Sequence, residues 1–366
     1  MRPPAAVGMR LEEVDTPALV LELDPFERNL RRLMESVAGR GVRVRAHAKT
    51  HKCPAIARLQ VAAGAVGVCC QKVSEAEAMV EGGIGDVLIS NEIVGAAKLA
   101  RLAALSMRAR IGVCVDDRDN LRAIGASGAT LDVYVEVDVG ARRCGVAPGA
   151  PALALAREVT TFPNLRFAGL QAYHGAAQHL RSMADRRAAI GRAAEAARST
   201  RAMIEAVGLA CPIVSGAGSG SFVFEIESKA FNEIQPGSYV FMDADYARNE
   251  WAAPLPRFEH ALFVLATVMS RPAPERAVVD AGLKASSVDS GLPLVWRRPG
   301  LSYVRASDEH GVIEVGSGAT APALGEKLQL VPGHCDPTVN LYDWYVCMRA
   351  GRVEALWPIT ARGAIY

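Results

Sequence analysis

Residues 42–53 read VRVRAHAKTHKC. Valine and alanine alternate with polar residues over 42–47 in the manner of a half-buried strand, and Lys49 stands just past its end between His47 and His51. Taken alone, a lysine there is ordinarily a surface group facing water. Working outward, short β-like runs recur at 66–70, 86–90, 110–115, 131–137, 166–173, 211–215 and 232–235, with alanine-rich helical stretches such as SEAEAMVEGG between them. Eight strands separated by helices predict a (β/α)8 TIM-like barrel; a doubly wound α/β sheet alternates similarly, but the count favours the barrel. The longest helical stretch precedes Cys211.

Upstream, Asp24, Pro25 and Glu27 supply a cap, a proline at the first helical position and a capping-box acid. Phe26, Leu30, Leu33, Met34 and Val37 then share one helical face. Beyond Asp245 helical periodicity fades into HALFVLATVMS, RAVVDAGL, LSYVRAS, GVIEVGS and KLQLVPG, which predicts an all-β second domain. The expected organisation is a barrel over residues 20–245 and a C-terminal β-domain over 246–366, joined by residues 1–19.

The 366 residues are half apolar, enough for a sizeable core. Lys plus Arg number 41 against 39 Asp plus Glu, a net charge of +2 that leaves no footprint for nucleic acid or an anionic membrane. A small-molecule partner is expected instead. No two of the eight cysteines form a CxxC pair, so zinc fingers and thioredoxin-type chemistry are unsupported. Several lie in apolar runs such as VGVCC, where a free thiol packs as a small hydrophobe, as in a reducing cytosol. The N-terminus lacks a signal-peptide core and ALFVLATVM is too short to cross a bilayer, so a soluble cytoplasmic protein is expected.

In such barrels catalytic groups gather at the C-terminal ends of the strands, which is where Lys49 stands. Near apolar walls an amine loses part of its preference for charge, and the neutral form condenses with a carbonyl. Pyridoxal 5'-phosphate is therefore a candidate cofactor if a phosphate cradle exists. VSGAGSGS, residues 214–221, offers glycine amides for one, although an ordinary flexible loop has the same composition. QPGSYVFMD adds Gly237 after the eighth strand, and barrel phosphate sites favour the loops after strands seven and eight. A dinucleotide loop fits poorly because the glycine spacing is off and FVFEIESKAF is a poor start for the required helix; no Gly-Lys-Ser/Thr marks a P-loop.

RAHAKTHK, VDVGARRCGV, GLQAYHG, SGAGSGS and QPGSYVFMDADY, in this order, resemble the fold-type III pyridoxal-phosphate enzymes, the alanine-racemase-like group. VPGHCDPTVNLYD narrows the resemblance to the branch of D-threonine aldolases and eukaryotic D-serine dehydratases. It runs over nearly the whole chain, and the ordered set is far more specific than any one motif. The resemblance implies that Lys49 is the Schiff-base lysine and that Arg143, in preference to Arg142, lies near the cofactor's phenolic oxygen. It sets Tyr173 against the pyridine ring with His174 beside it, and Ser219, Gly220, Gly237 and Ser238 around the phosphate. Gln235 stands where alanine racemases have an arginine facing the pyridine nitrogen; an amide hydrogen-bonds that nitrogen without fixing its proton.

His179 is implied as the base for a substrate hydroxyl, although by sequence alone it is as well a solvent-facing loop histidine. Alternation puts His47 on the Lys49 face, with a supporting or core role expected for it and for His51. His334 and Asp336 are two apart, so on an extended segment they project to one side. A bare H-x-D occurs by chance; the resemblance makes the pair ligands of a divalent cation, manganese favoured, with magnesium, calcium or zinc as alternatives. Cys335 would point away and be buried.

The activity implied is metal-dependent cleavage of D-threonine or a related D-β-hydroxy-α-amino acid to glycine and an aldehyde. A D-serine or D-3-hydroxyaspartate dehydratase or aldolase is the alternative, and a non-catalytic pyridoxal-phosphate-binding protein the second. A racemase leaves the H-C-D motif without purpose. The fold type also implies a homodimer, with each active site formed where the barrel of one subunit meets the β-domain of another.

Overall fold

The computed structural model describes residues 2–253 and 255–366. In chain order, strand β1 (Ala18–Glu22) leads into α1 (Leu23–Val37), followed by β2 (Arg43–Val44), β3 (Ala46–His47), α2 (Pro54–Ala62), β4 (Val68–Cys70), α3 (Val73–Glu81), β5 (Asp86–Glu92) and α4 (Ala96–Ser106). Then come β6 (Arg110–Val115), α5 (Arg118–Ala126), β7 (Leu131–Glu136), α6 (Ala150–Val159), β8 (Leu165–Gln171), α7 (Met183–Ala206), β9 (Ile213–Gly216), α8 (Phe222–Ser228), β10 (Glu233–Ile234) and α9 (Ala244–Ala247). The remainder comprises β11 (Leu262–Ala273), β12 (Arg276–Val279), β13 (Leu294–Val295), β14 (Leu301–Ala306), β15 (Gly311–Val315), β16 (Lys327–Val331), α10 (Cys335–Val339), β17 (Trp344–Arg349) and β18 (Arg352–Pro358).

The expected single strand over 42–47 is divided. β2 pairs with β10 and β3 with β4, so the order β2-β10-β9-β8-β7-β6-β5-β4-β3 closes into a ring through Arg45. The Arg45 amide donates to Ile234 O at 2.9 Å while Val44 O accepts from Val66 at 2.8 Å, so the backbone bonds to both neighbours across the division. With the divided strand counted once, this is the eight-stranded parallel barrel that the sequence predicts. Cys69, Leu88, Cys114, Tyr134, Ala168 and Ile213 fill its interior.

At the division, Arg45 turns a buried side chain onto two carboxylates. Its guanidinium meets Glu233 at 3.1 Å and Asp86 at 2.5 Å, with side chains 4% and 0% exposed for Arg45 and Glu233. Breaking a buried pair from one side strands the other charge, which costs about 3–5 kcal/mol. Arg45→Met is therefore expected to lower stability by about 3 kcal/mol in denaturant titrations, the low end because Arg43 still reaches Glu233. A loss under about 1 kcal/mol would show the pair to be dispensable.

In the second sheet the order is β14-β15-β12-β11-β1-β17-β18, with β16 joining β11 to β13. Residues 20–22 belong to this sheet, because β1 runs antiparallel to β11 and parallel to β17; the barrel's first helix starts at Leu23. Asp24 is therefore not the cap. It lies in the first turn with Pro25, where a missing N–H costs nothing, and Asp24 and Glu27 both pair with Arg349 of β17. One other expectation gives way. FVFEIES is helical as α8, its residues from Phe222 to Ile226 all buried, so packing overrides a weak local signal. The C-terminal domain is the β-domain expected, with one short helix, α10, set into it immediately after His334.

Candidate active site

Lys49 lies in a tight turn, Ala48–Thr50, just beyond β3. It opens onto a cavity of about 470 Å³ at the C-terminal ends of the barrel strands. Its Nζ stands 3.3 Å from Asp336 Oδ2. This pairing reverses the expectation of a readily neutral amine: Asp336 raises the lysine above its ordinary pKa, outweighing the burial that lowers it. His47 lines the same cavity, bonded to Gln71 at 2.9 Å and Ser90 at 3.3 Å, and burial together with the Lys49 charge keeps its imidazole neutral at ordinary pH. His51 faces the core instead, accepting from the Cys53 amide and bonding Gln60, with its pKa pushed down to about 4 by burial.

After β9 and β10 the chain passes the cavity at Ala217, Gly218, Ser219, Gly237 and Ser238. Among the described residues, the N–H groups of Gly218, Ser219, Gly237 and Ser238 donate to no protein acceptor. Four such amides around a cavity suit a phosphate. A side chain on Gly237 would run into Thr50 Oγ1, so glycine is what lets this loop close against the Lys49 turn. Gly220 does not share the expected role: its amide donates to Gln178 Oε1 at 3.0 Å and it lies outside the cavity lining. Gln178 also donates to Ser221 Oγ at 2.6 Å, fastening the loop to the turn that carries His179.

Tyr173 and Arg143 meet at the cavity wall, the guanidinium 5.8 Å from the ring centroid. Arg142 is outside the lining, its amide bonded to Asp138, and His174 is likewise outside it. Gln235 faces the cavity with its amide already oriented: Nε2 donates to Gln171 Oε1 at 2.8 Å and Ser215 Oγ at 2.7 Å, while Oε1 accepts from Gln171 at 3.0 Å. Ser215 donates onward to Glu233 at 2.8 Å, linking this floor to the Arg45 pair. A lysine amine, an aromatic wall, an arginine, a neutral amide floor and free backbone amides together fit pyridoxal phosphate.

His179 ends a short turn, Gly175–His179, and reaches the cavity with Nδ1 2.6 Å from Asp245 Oδ2. On the far wall are His334 and Asp336. They do not sit on an extended segment as expected: His334 precedes α10 and Asp336 is in its first turn, while Cys335 between them is buried as anticipated. Asp243 fixes this arrangement, accepting from the Cys335 amide at 3.1 Å and from Tyr246 at 2.9 Å. His334 Nδ1 donates to Asp289 at 2.8 Å, the kind of outer carboxylate that orients a metal-binding imidazole. Asp336 Oδ1 is buried without a hydrogen-bond partner, and Lys49 and His334 hold the carboxyl below its usual range despite burial. This donor set fits a divalent cation. Elsewhere among the described residues, Glu92, Asp116 and Cys144 bring one donor atom each within 4.8 Å of one another.

One chain supplies both Lys49 and the H-C-D motif to this cavity, so the barrel meets its own β-domain here rather than only a neighbour's. Asp245, Asp289, Asp243, Gln171 and Gln178 escaped sequence reasoning. Asp243 and Asp245, in the MDADY stretch, and Gln171, in GLQAYHG, carried a signal by lying in motifs already noted.

Comparison with known proteins follows the same division of the chain. The family model "Alanine racemase, N-terminal domain" matches residues 21–245, and "Putative serine dehydratase domain" matches residues 261–348. The chain is 52% identical to a D-threonine aldolase of an Arthrobacter species, covering 99% of this chain and 96% of that one. It is 48% identical, with the same coverages, to a 3-hydroxy-D-aspartate aldolase of Paracoccus denitrificans. The crystal structure of D-threonine aldolase from Filomicrobium marinum superimposes with a TM-score of 0.97 at 53% identity, covering all of both chains.

Proposed function

The chain belongs to the alanine-racemase-like, fold-type III family of pyridoxal-phosphate enzymes, and from that membership we propose that it cleaves D-configured β-hydroxy-α-amino acids, D-threonine among them, to glycine and an aldehyde. The observation that carries this reading is the meeting of Lys49 with Asp336, His334 and His179 in one cavity. Retro-aldol cleavage needs a place to store the electron pair released from the bond between the α and β carbons, and a group to remove the β-hydroxyl proton.

Pyridoxal phosphate, when bound, supplies the electron sink. Lys49 would be the amine that holds it, the amides of Gly218, Ser219, Gly237 and Ser238 would receive the phosphate, and Tyr173, Arg143 and Gln235 would confine the ring; all of these residues line the cavity. Asp336 and His334 would hold the cation, manganese favoured, which supplies a Lewis acid for the hydroxyl oxygen. His179 takes the hydroxyl proton on Nε2, the ring nitrogen left free by the bond from Nδ1 to Asp245. A homodimer is proposed from the family resemblance, and a cytoplasmic location from the eight free cysteines. No helix among the described residues is long and apolar enough to cross a membrane.

Incubation with D-threonine is expected to yield glycine and acetaldehyde in equal amounts, with little keto acid or ammonia. His179→Ala should keep the cofactor's absorption and lower turnover by about two to four powers of ten, the usual loss for a missing general base. Keto acid as the main product would replace this proposal with a dehydratase. Near-normal turnover in His179→Ala would remove that residue from the base role.

A further inference from the structure

We infer that Asp245 is the positioning residue for the base, holding His179 in the tautomer whose Nε2 accepts the proton of the substrate's β-hydroxyl. This rests on the proposed role of His179. Asp245 sits on α9, its side chain 6% exposed, and its Oδ2 lies 2.6 Å from His179 Nδ1. Its other oxygen is held by Arg181 at 2.5 Å and by Arg248, and Arg181 donates in addition to the Asp245 carbonyl at 2.7 Å. Burial alone would raise this carboxyl, but Arg181, Arg248 and His179 together hold it at about 2.

An ionised carboxylate only accepts, so the proton between the two groups belongs to Nδ1. With Nδ1 engaged in this way, Nε2 is the ring nitrogen left to accept a proton. Ring rotation is limited by Tyr246, whose centroid is 5.3 Å from the imidazole, and the His179 turn is tied to the segment just after α9 by Asn249, which donates to Gln178 O at 2.9 Å. The two arginines matter here because they stop the carboxylate from turning away. Of the charged groups facing His179 across the cavity, Lys49, Arg143, His334 and Asp336, none is hydrogen-bonded to the imidazole.

Asp245→Asn tests this, because the amide preserves shape but can donate to Nδ1 and so favour the tautomer with Nε2 blocked. In the holoenzyme kcat should fall by about two to four powers of ten, with KM for D-threonine and cofactor absorption near wild type. The double variant His179→Ala/Asp245→Asn should be no slower than His179→Ala, since residues acting as one unit are not additive. Nitrogen NMR of [15N]histidine-labelled wild-type holoenzyme, with His179 assigned by its loss in His179→Ala, should show the proton on Nδ1.

A kcat for Asp245→Asn within about threefold of wild type overturns the inference, as do multiplicative effects in the double variant. An Nε2-protonated tautomer in the wild type does so too, even if Asp245→Asn does not fold. Should His179→Ala alone keep near-normal turnover, the base assignment itself falls; slow His179→Ala beside fast Asp245→Asn removes only the positioning role.

Discussion

Lys49→Ala is expected to be colourless as purified and to lose turnover by at least about three powers of ten, a loss that added pyridoxal phosphate does not repair. Among the described residues, no second amine lines the cavity. Lys52 is held by Glu75 at 2.7 Å behind the turn, and Lys284 pairs with Glu309 on the surface of the β-domain. Borohydride reduction of the wild-type protein followed by peptide mapping should therefore place the pyridoxyl group on Lys49 alone. The phosphate cradle does not include the lysine, so the variant should still take up the cofactor weakly and reversibly. Label on Lys52 or Lys284 would show that the Ala48–Thr50 turn has been given the wrong task.

Chelation should have an effect of similar size. Dialysis against a metal chelator is expected to lower D-threonine cleavage by about a hundredfold or more, with manganese restoring it better than zinc. Carboxylate and imidazole with water suit harder ions, whereas thiolate favours zinc. Asp336→Cys is accordingly expected to reverse the metal order and to weaken cleavage relative to dehydration. Full activity in metal-free protein would return Asp336 to a simpler role as counterion of Lys49, which its 3.3 Å contact already allows.

Local patterns carried the barrel. Strands such as 110–115 and 131–136 are apolar runs bounded by helix signals, and the structure places them within a residue of where the periodicity does. Lys49 stands out because it follows a strand end, and the 215–221 loop and Gly237 because barrels favour phosphate sites after strands seven and eight; Ser219 and Ser238 were singled out only by the family resemblance, and all four residues line one cavity. What could not be read were polar residues whose role depends on a distant partner. Asp289 matters only because His334 lies against it, Gln178 only because Gly220 does, and Gln171 only through its reciprocal amide bonds to Gln235. The same limit explains Asp24: its pairing with Arg349, from the far end of the chain, coincides with an earlier helix start than the capping pattern predicts.

The strand Ala18–Glu22 lies between β11 and β17 in the second sheet, so the barrel is an insertion within a domain whose parts are made first and last. During synthesis the early strand must wait, with Ala18 through Leu21 destined for burial, first for β11 and then for β17 to be made after the whole barrel. Contacts between such distant segments form slowly, because a long loop must close before any of them is rewarded. Asp336 arrives in that same late segment. A nascent barrel thus carries Lys49 without its counterion, and the cavity is completed only after every barrel strand has been made.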